Sequence, residues 1–219
     1  MHSKKTFIGF FIFFIALSCN QADENTNNDN KKDIAEKVEE YKKQIPDTNV
    51  DPKNDEWKDN LYRNKFYKFR VEFPKKWEYD KGSANITLAR ALNRDIGATI
   101  AVAVKHLSAD SKKSNNINDV MPKESFEKSF TELTGLQNVV PEDFKIEDAF
   151  LNNFPAYIIQ FKHKQSMGTQ ILTYFTKIIQ CVYDSKIYQI TLNIPVDFYN
   201  FEIKKIIKKV IEDFVFEIV

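Results

Sequence analysis

The chain has 219 residues, and its 32 Lys+Arg against 31 Asp+Glu give a formal charge of +1, which excludes nucleic-acid binding by sheer basicity. Two cysteines exclude a disulfide-stapled miniprotein and a zinc site of four thiolates from one chain. With 42% apolar and 29% charged residues, at least part of the chain must be globular, and the length suits one domain with extensions.

The N-terminus reads as an address. Lys4 and Lys5 form a positive start, and Phe7 to Leu17 is an apolar run. That run is shorter than the roughly 20 residues of a membrane-spanning helix and fits a secretory leader. Ala16-Leu17-Ser18-Cys19 then puts a small residue immediately before a cysteine. The stretch resembles a bacterial lipobox, with Ala16 where that pattern usually has Leu. The resemblance implies a signal peptide over residues 1–18, cleavage before Cys19 and acylation of Cys19, with palmitate as the label that reports it. It also implies a mature lipoprotein held at a membrane of the bacterial cell envelope, on the periplasmic side or at the cell surface. Two or more acyl chains suffice for stable anchoring. An ordinary cleaved leader with a chance cysteine, and an uncleaved anchor, are the alternatives.

Residues 19–58 form an acidic tether. Asn20 to Lys32 has no large apolar side chain, so it cannot offset its own ordering entropy and is expected to be disordered. Asp23 and Glu24 resemble the surface-export signals of some Bacteroidetes lipoproteins. Ile34, Val38, Tyr41 and Ile45 share one helical face, Asp33 is a candidate N-cap and Pro46 stops the run, which predicts a short amphipathic helix. It either docks loosely on the domain, or frays, or associates with a partner; its apolar seam is too short for an independent coiled coil. Trp57, in the polar linker that follows, is expected to pack onto a sheet edge. The leader, tether and remainder carry +2, −4 and +3 charges, and all the Phe residues lie in the first and last of these.

Residues 59–219 are β-rich. Phe69, Val71 and Phe73 alternate with Lys68, Arg70 and Glu72 after a turn at Asn64-Lys65, and Pro74 stops that strand. Ile86 to Leu92 and Ala98 to Leu107 are further strands, the second apolar on both faces and therefore central. Ser108 to Asp119 is a loop by composition. Pro122 opens a helix with Phe126, Phe130 and Leu133 on one face and Gly135 as C-cap. Strands follow at Phe144 to Leu151, Ala156 to His163, Thr169 to Val182 and Ile187 to Ile194, with turns at Gln165 to Gly168 and Asp184-Ser185-Lys186. A helix from Asp197 to Asp213 buries Ile203, Ile206, Ile207, Val210 and Phe214, and Phe214 to Val219 ends as a short extended piece. Consecutive strands joined by tight turns predict an α+β fold with a mainly antiparallel sheet covered by the two helices.

The segment Tyr62-Arg63-Asn64-Lys65-Phe66-Tyr67-Lys68-Phe69-Arg70-Val71-Glu72-Phe73-Pro74-Lys75-Lys76-Trp77 resembles the opening hairpin of PsbP-like domains. Asn153-Phe154-Pro155-Ala156-Tyr157 is similar to that family's tight turn before a long strand. Ile190-Thr191-Leu192-Asn193-Ile194-Pro195, a helix, and Ile211-Glu212-Asp213-Phe214-Val215-Phe216 resemble its close. The resemblance implies an α/β/α sandwich, and the lipobox sides with the DcrB-type bacterial lipoprotein branch. Family functions differ, so the fold does not name an activity.

Candidate sites are few. His106 closes a strand and His163 sits between Lys162 and Lys164, which disfavour a bound cation; both are read as structural or exposed. Cys181 in Ile178-Ile179-Gln180-Cys181-Val182 is read as a small buried hydrophobe. Lys204, Lys205, Lys208 and Lys209 form one face of the last helix, either as a solvated surface or as a patch for an acidic partner or phospholipid head groups. No catalytic residue, metal site or cofactor is assigned. The expected function is that of a non-enzymatic, membrane-anchored, monomeric protein that binds an envelope protein; the alternative is a small-ligand or lipid-binding module with a pocket between sheet and helix.

Overall fold

The computed structural model describes residues 54–81, 87–107, 114–136, 142–167 and 170–217. The signal peptide, Cys19, the tether and its helix therefore lie outside the described residues. Among the described residues, eleven strands run in chain order: β1 Asp55–Lys58, β2 Leu61–Asn64, β3 Phe69–Glu72, β4 Glu78–Asp80, β5 Thr87–Asn93, β6 Ala98–His106, β7 Glu142–Leu151, β8 Phe154–Met167, β9 Gln170–Tyr183, β10 Lys186–Pro195 and β11 Val215–Phe216. Helix α1 is Ile117–Val120 and α2 is Lys123–Leu136; a 3-10 turn at Val196–Phe198 precedes α3, Phe201–Glu212. Strand β1 lies ahead of residue 59, where the sequence places the start of the domain. Residue 117 begins a helical turn inside the stretch read as loop.

A four-stranded sheet in the order β1-β2-β3-β11 accompanies a seven-stranded sheet in the order β4-β5-β6-β10-β9-β8-β7, and every described pairing is antiparallel. Two of the hairpins use the same turn chemistry. Asn152 and Asn153 have φ of 47° and 70°, and Asp184 and Ser185 have φ of 48° and 56°. Two consecutive left-handed residues match the right-handed twist of the strands they join, and Asn and Asp tolerate that conformation best after glycine.

Side-chain alternation divides the large sheet into two faces. On the first, Val102, Val104, Tyr188, Ile190, Leu192 and Cys181 pack with Phe69 and Val71 of the small sheet and with Ile203, Ile207 and Val210 of α3. On the second, Ala103, Tyr157, Ile159, Phe161, Ile178 and Val182 pack with Ile117, Met121, Phe126 and Phe130. The expected cover of two helices is thus only part of what is seen, because a second sheet shares the first face with α3. That sheet is built from strands of two to four residues. Apart from the alternation of Phe69, Val71 and Phe73 at β3, such pieces are too short to show a periodicity of their own. Trp57 lies within β1 and stacks on Phe73 and Tyr79 at ring distances of 5.6 and 5.2 Å.

Candidate functional site

Helix α3 positions the lysine patch. Asn200 caps it, its Oδ1 accepting from the Ile203 amide at 3.1 Å. The apolar stripe Ile203, Ile207 and Val210 turns inward, so 3.6-residue periodicity forces Lys204, Lys205, Lys208 and Lys209 outward, where all four are exposed. Three of them pair along the helix: Lys205 with Glu202 at 3.4 Å, Lys208 with Glu212 at 3.6 Å and Lys209 with Asp213 at 2.5 Å. Lys204 instead lies over the Tyr199 ring at 5.2 Å, and Lys205 also lies over Phe201 at 4.4 Å. Tyr199 is held by a 3.9 Å stack on Phe175. Beside the lysines, Phe198 and Phe201 are exposed at 43% and 67%. The sequence showed the basic face but not the aromatic pair, because Phe198 and Phe201 fall at the entry to a helix whose other apolar residues are buried.

Between α3 and the end of β3 lies a cleft of about 210 Å³, bordered by Phe73, Pro74, Ile206, Val210, Asn60 and Lys209. Asn60 closes its floor, donating from Nδ2 to Glu72 Oε1 at 3.1 Å and to the Phe73 carbonyl at 2.6 Å. The volume falls below the ~300 Å³ typical of small-molecule pockets.

The residues weighed for chemistry are placed as follows. Cys181 is fully buried, and burial pushes its thiol well above the ordinary range, away from the thiolate that a nucleophile needs. His106 ends β6 beside Lys186, and burial together with that ammonium lowers its pKa. His163 is buried at 1% exposure, and burial lowers its pKa to about 4. Thr176 Oγ1 donates to Asn193 Oδ1 at 2.9 Å and lies 3.4 Å from His163 Nδ1. A hydroxyl has one proton to give, so Nδ1 carries the imidazole hydrogen and Nε2 is a bare acceptor without a partner. Among the described residues, no group of three His, Cys, Asp or Glu side chains could hold a metal ion.

Sequence reasoning missed a polar layer. Thr87, His163, Thr176, Gln180, Gln189 and Asn193 are all buried and all lie on the α2 face of the large sheet. Gln180 Nε2 donates to Gln189 Oε1 at 3.1 Å, and Gln189 Nε2 donates to Thr191 Oγ1 at 2.8 Å. The signal was present in the spacing Gln189-x-Thr191-x-Asn193, but alternation alone reads such residues as a solvent face.

No protein-family model matches the chain. No curated protein matches it either. Among solved structures, the fold is similar to that of the cyanobacterial PsbP (CyanoP) of Synechocystis sp. PCC 6803, at 11% identity over 73% of this chain and 94% of that one, with a TM-score of 0.52. LpqN of Mycobacterium tuberculosis, a protein involved in cell envelope biogenesis, matches at 14% identity over 67% of this chain and 82% of that one, with a TM-score of 0.45. The described domain is PsbP-like in fold, as its opening hairpin and closing strand suggested.

Proposed function

We propose that this protein is a non-enzymatic lipoprotein of the cell envelope, anchored through Cys19, that engages a protein partner at the start of α3. One observation carries the docking face: Phe198 and Phe201 are exposed at the start of α3, with Lys205 Nζ over the Phe201 ring at 4.4 Å and Lys204 and Lys208 exposed on the same helix. Exposed aromatic rings flanked by cations fit a surface that offers an apolar recess ringed by carboxylates. Lys204, resting on an aromatic ring rather than a carboxylate, is the cation freest to pair with such a partner. The address rests on the sequence Ala16-Leu17-Ser18-Cys19. Among the described residues no helix is long and apolar enough to cross a membrane.

A photo-reactive residue at position 201 in intact cells tests the face. One discrete adduct is expected, lost in Lys204→Glu and absent when the probe replaces exposed Phe150. An adduct unaffected by Lys204→Glu would remove the lysines from the interface. Binding of the purified domain to anionic vesicles, with no adduct, would assign the patch to head groups. Incorporation of labelled palmitate is expected to vanish in Cys19→Ala, and its persistence would sink the anchor.

A further inference from the structure

Helix α3 leaves one residue of its expected apolar stripe uncovered. Ile203, Ile207 and Val210 are buried, whereas Ile206 is only half-buried. Ile206 borders the cleft with Phe73, Pro74 and Val210, so the space of about 210 Å³ is lined mainly by apolar groups and opens to solvent between α3 and the end of β3. Its floor offers no donor, because both Nδ2 protons of Asn60 go to Glu72 Oε1 and the Phe73 carbonyl. An apolar space below the ~300 Å³ of small-molecule pockets suits about one or two side chains of a polypeptide.

We propose that the occupant is this chain's own predicted helix, residues 33–45, seated by its seam of Ile34, Val38, Tyr41 and Ile45. The place where the chain enters the domain carries the assignment. Asn54 is fixed there by its carbonyl, which accepts from the Lys65 amide at 2.9 Å. From that point β1 leads toward the turn that holds Asn60, about 13 Å along the four residues of the strand. The eight residues 46–53 span up to about 26 Å, so the seam reaches the cleft with slack. The short link also supplies affinity. Four apolar side chains bind weakly between separate molecules, but a link of this length holds them near the cleft at roughly millimolar effective concentration. The seam is too short to cover itself as a coiled coil, and Ile206 and Pro74 are the apolar surface the domain leaves for it. The docking needs neither the anchor at Cys19 nor a partner at Phe198 and Phe201, so it stands or falls separately from the proposed function.

The test is a set of cysteine pairs in the purified chain from Asn20 to Val219, whose own cysteine, Cys181, is buried at 0% exposure. Lys75, exposed at the rim of the cleft, supplies one partner as Lys75→Cys. Lys37→Cys or Lys42→Cys sets the other beside the seam, and Lys43→Cys sets it on the opposite face of the helix. Under mild oxidation, at least one seam-side pair is expected to close within a chain at least ~10-fold faster than the Lys43 pair. Val38→Ser with Tyr41→Ser, both outside the domain, is expected to slow that closure at least ~10-fold, to the rate of the Lys43 pair. None of these positions lies in the core, so folding is not at stake. Equal rates at the three positions, or a fast pair indifferent to Val38→Ser and Tyr41→Ser, overturn the proposal. A disulfide that joins two chains, with a dimer in size-exclusion chromatography, assigns the cleft to the helix of a second copy and overturns it as well.

Discussion

At the scale of single residues, His163 and Asn64 show two fates of a buried polar side chain. Burial pushes the His163 imidazole from 6.5 down to about 4, so the folded protein holds it neutral. The unfolded chain takes up its proton near 6.5. The stability this group contributes is therefore complete above that value and is lost as pH falls toward 4, by on the order of 3 kcal/mol. His163→Phe is expected to flatten urea-denaturation stability between these limits and to leave neutral-pH stability unchanged or raised, since it also removes the orphaned Nε2. His106, lowered in the same direction, leaves a smaller residual slope; an unaltered slope in the variant would show that His163 is not the titrating group. Asn64 is the satisfied case. Its Oδ1 accepts from the Tyr67 amide at 2.7 Å, and its Nδ2 donates to Asp55 at 2.7 Å and to the Tyr62 hydroxyl at 3.1 Å. Asn64→Ala removes the group that shapes the β2–β3 turn and strands Tyr67 N, so a loss of about 1–3 kcal/mol is expected in the same assay. A loss below half a kcal/mol would mean that the turn is set by the backbone alone.

At the scale of elements, α3 is fixed by its cap and its stripe. Asn200→Ala should cost about 1 kcal/mol, and Asn200→Asp should restore it, both read by thermal unfolding; an equal loss in both variants would place the effect elsewhere than in the cap. Most elements could be read from the chain because each kept one period for eight residues or more. The long strands β6, β9 and β10 and helix α2 fall close to their expected bounds, whereas β8 continues to Met167 through the expected turn at Gln165 to Gly168, and α3 begins at Phe201 rather than Asp197 because a 3-10 turn and the Asn200 cap precede it. The turn at Asp184-Ser185 was visible from its residue types, and the one at Asn153 through its likeness to the family's tight turn; both take positive φ. Three things were not legible. Strands β1 and β4 are too short to carry a pattern. The second sheet required knowing that β11 returns to β3, a pairing of Val215 with Arg70 and Phe216 with Phe69 across the whole domain. The polar layer was hidden because a strand's alternation says which residues share a face and not what covers that face. The exposed lysine face of α3 was legible from its spacing, whereas Phe198 and Phe201 lie outside the helical stripe and carried no signal of their exposure.

At the scale of the whole molecule, the last strand locks the two sheets together. Phe216 lies between them, with ring distances of 4.7 Å to Tyr183, 4.7 Å to Tyr188, 5.2 Å to Phe154 and 5.1 Å to Phe214. Phe214 in turn stacks on Phe69 at 5.2 Å, and the Tyr188 hydroxyl donates to the Tyr67 carbonyl at 3.1 Å. The Phe216 amide is tied to Asn152 Oδ1 at 2.7 Å, which joins the chain's end to the β7–β8 turn. The opening hairpin, the central hairpins and the closing strand thus share one aromatic cluster, so none of them can leave without exposing the others. Two consequences follow from that sharing. Phe216→Ala opens a cavity at the junction and should cost about 3–5 kcal/mol, a large share of the 5–15 kcal/mol that domains of this size possess. The loss should come as one cooperative transition at a lower midpoint, with tryptophan fluorescence and far-ultraviolet circular dichroism coincident, because Trp57 in β1 and Trp77 between β3 and β4 report the small sheet and its junction, and the dichroism chiefly the large one. Phe201→Ala removes a ring of the same size from the surface and should lower stability by less than about half a kcal/mol. If Phe216→Ala instead separates the two signals, the small sheet melts on its own, and the closing strand is an attachment rather than the lock.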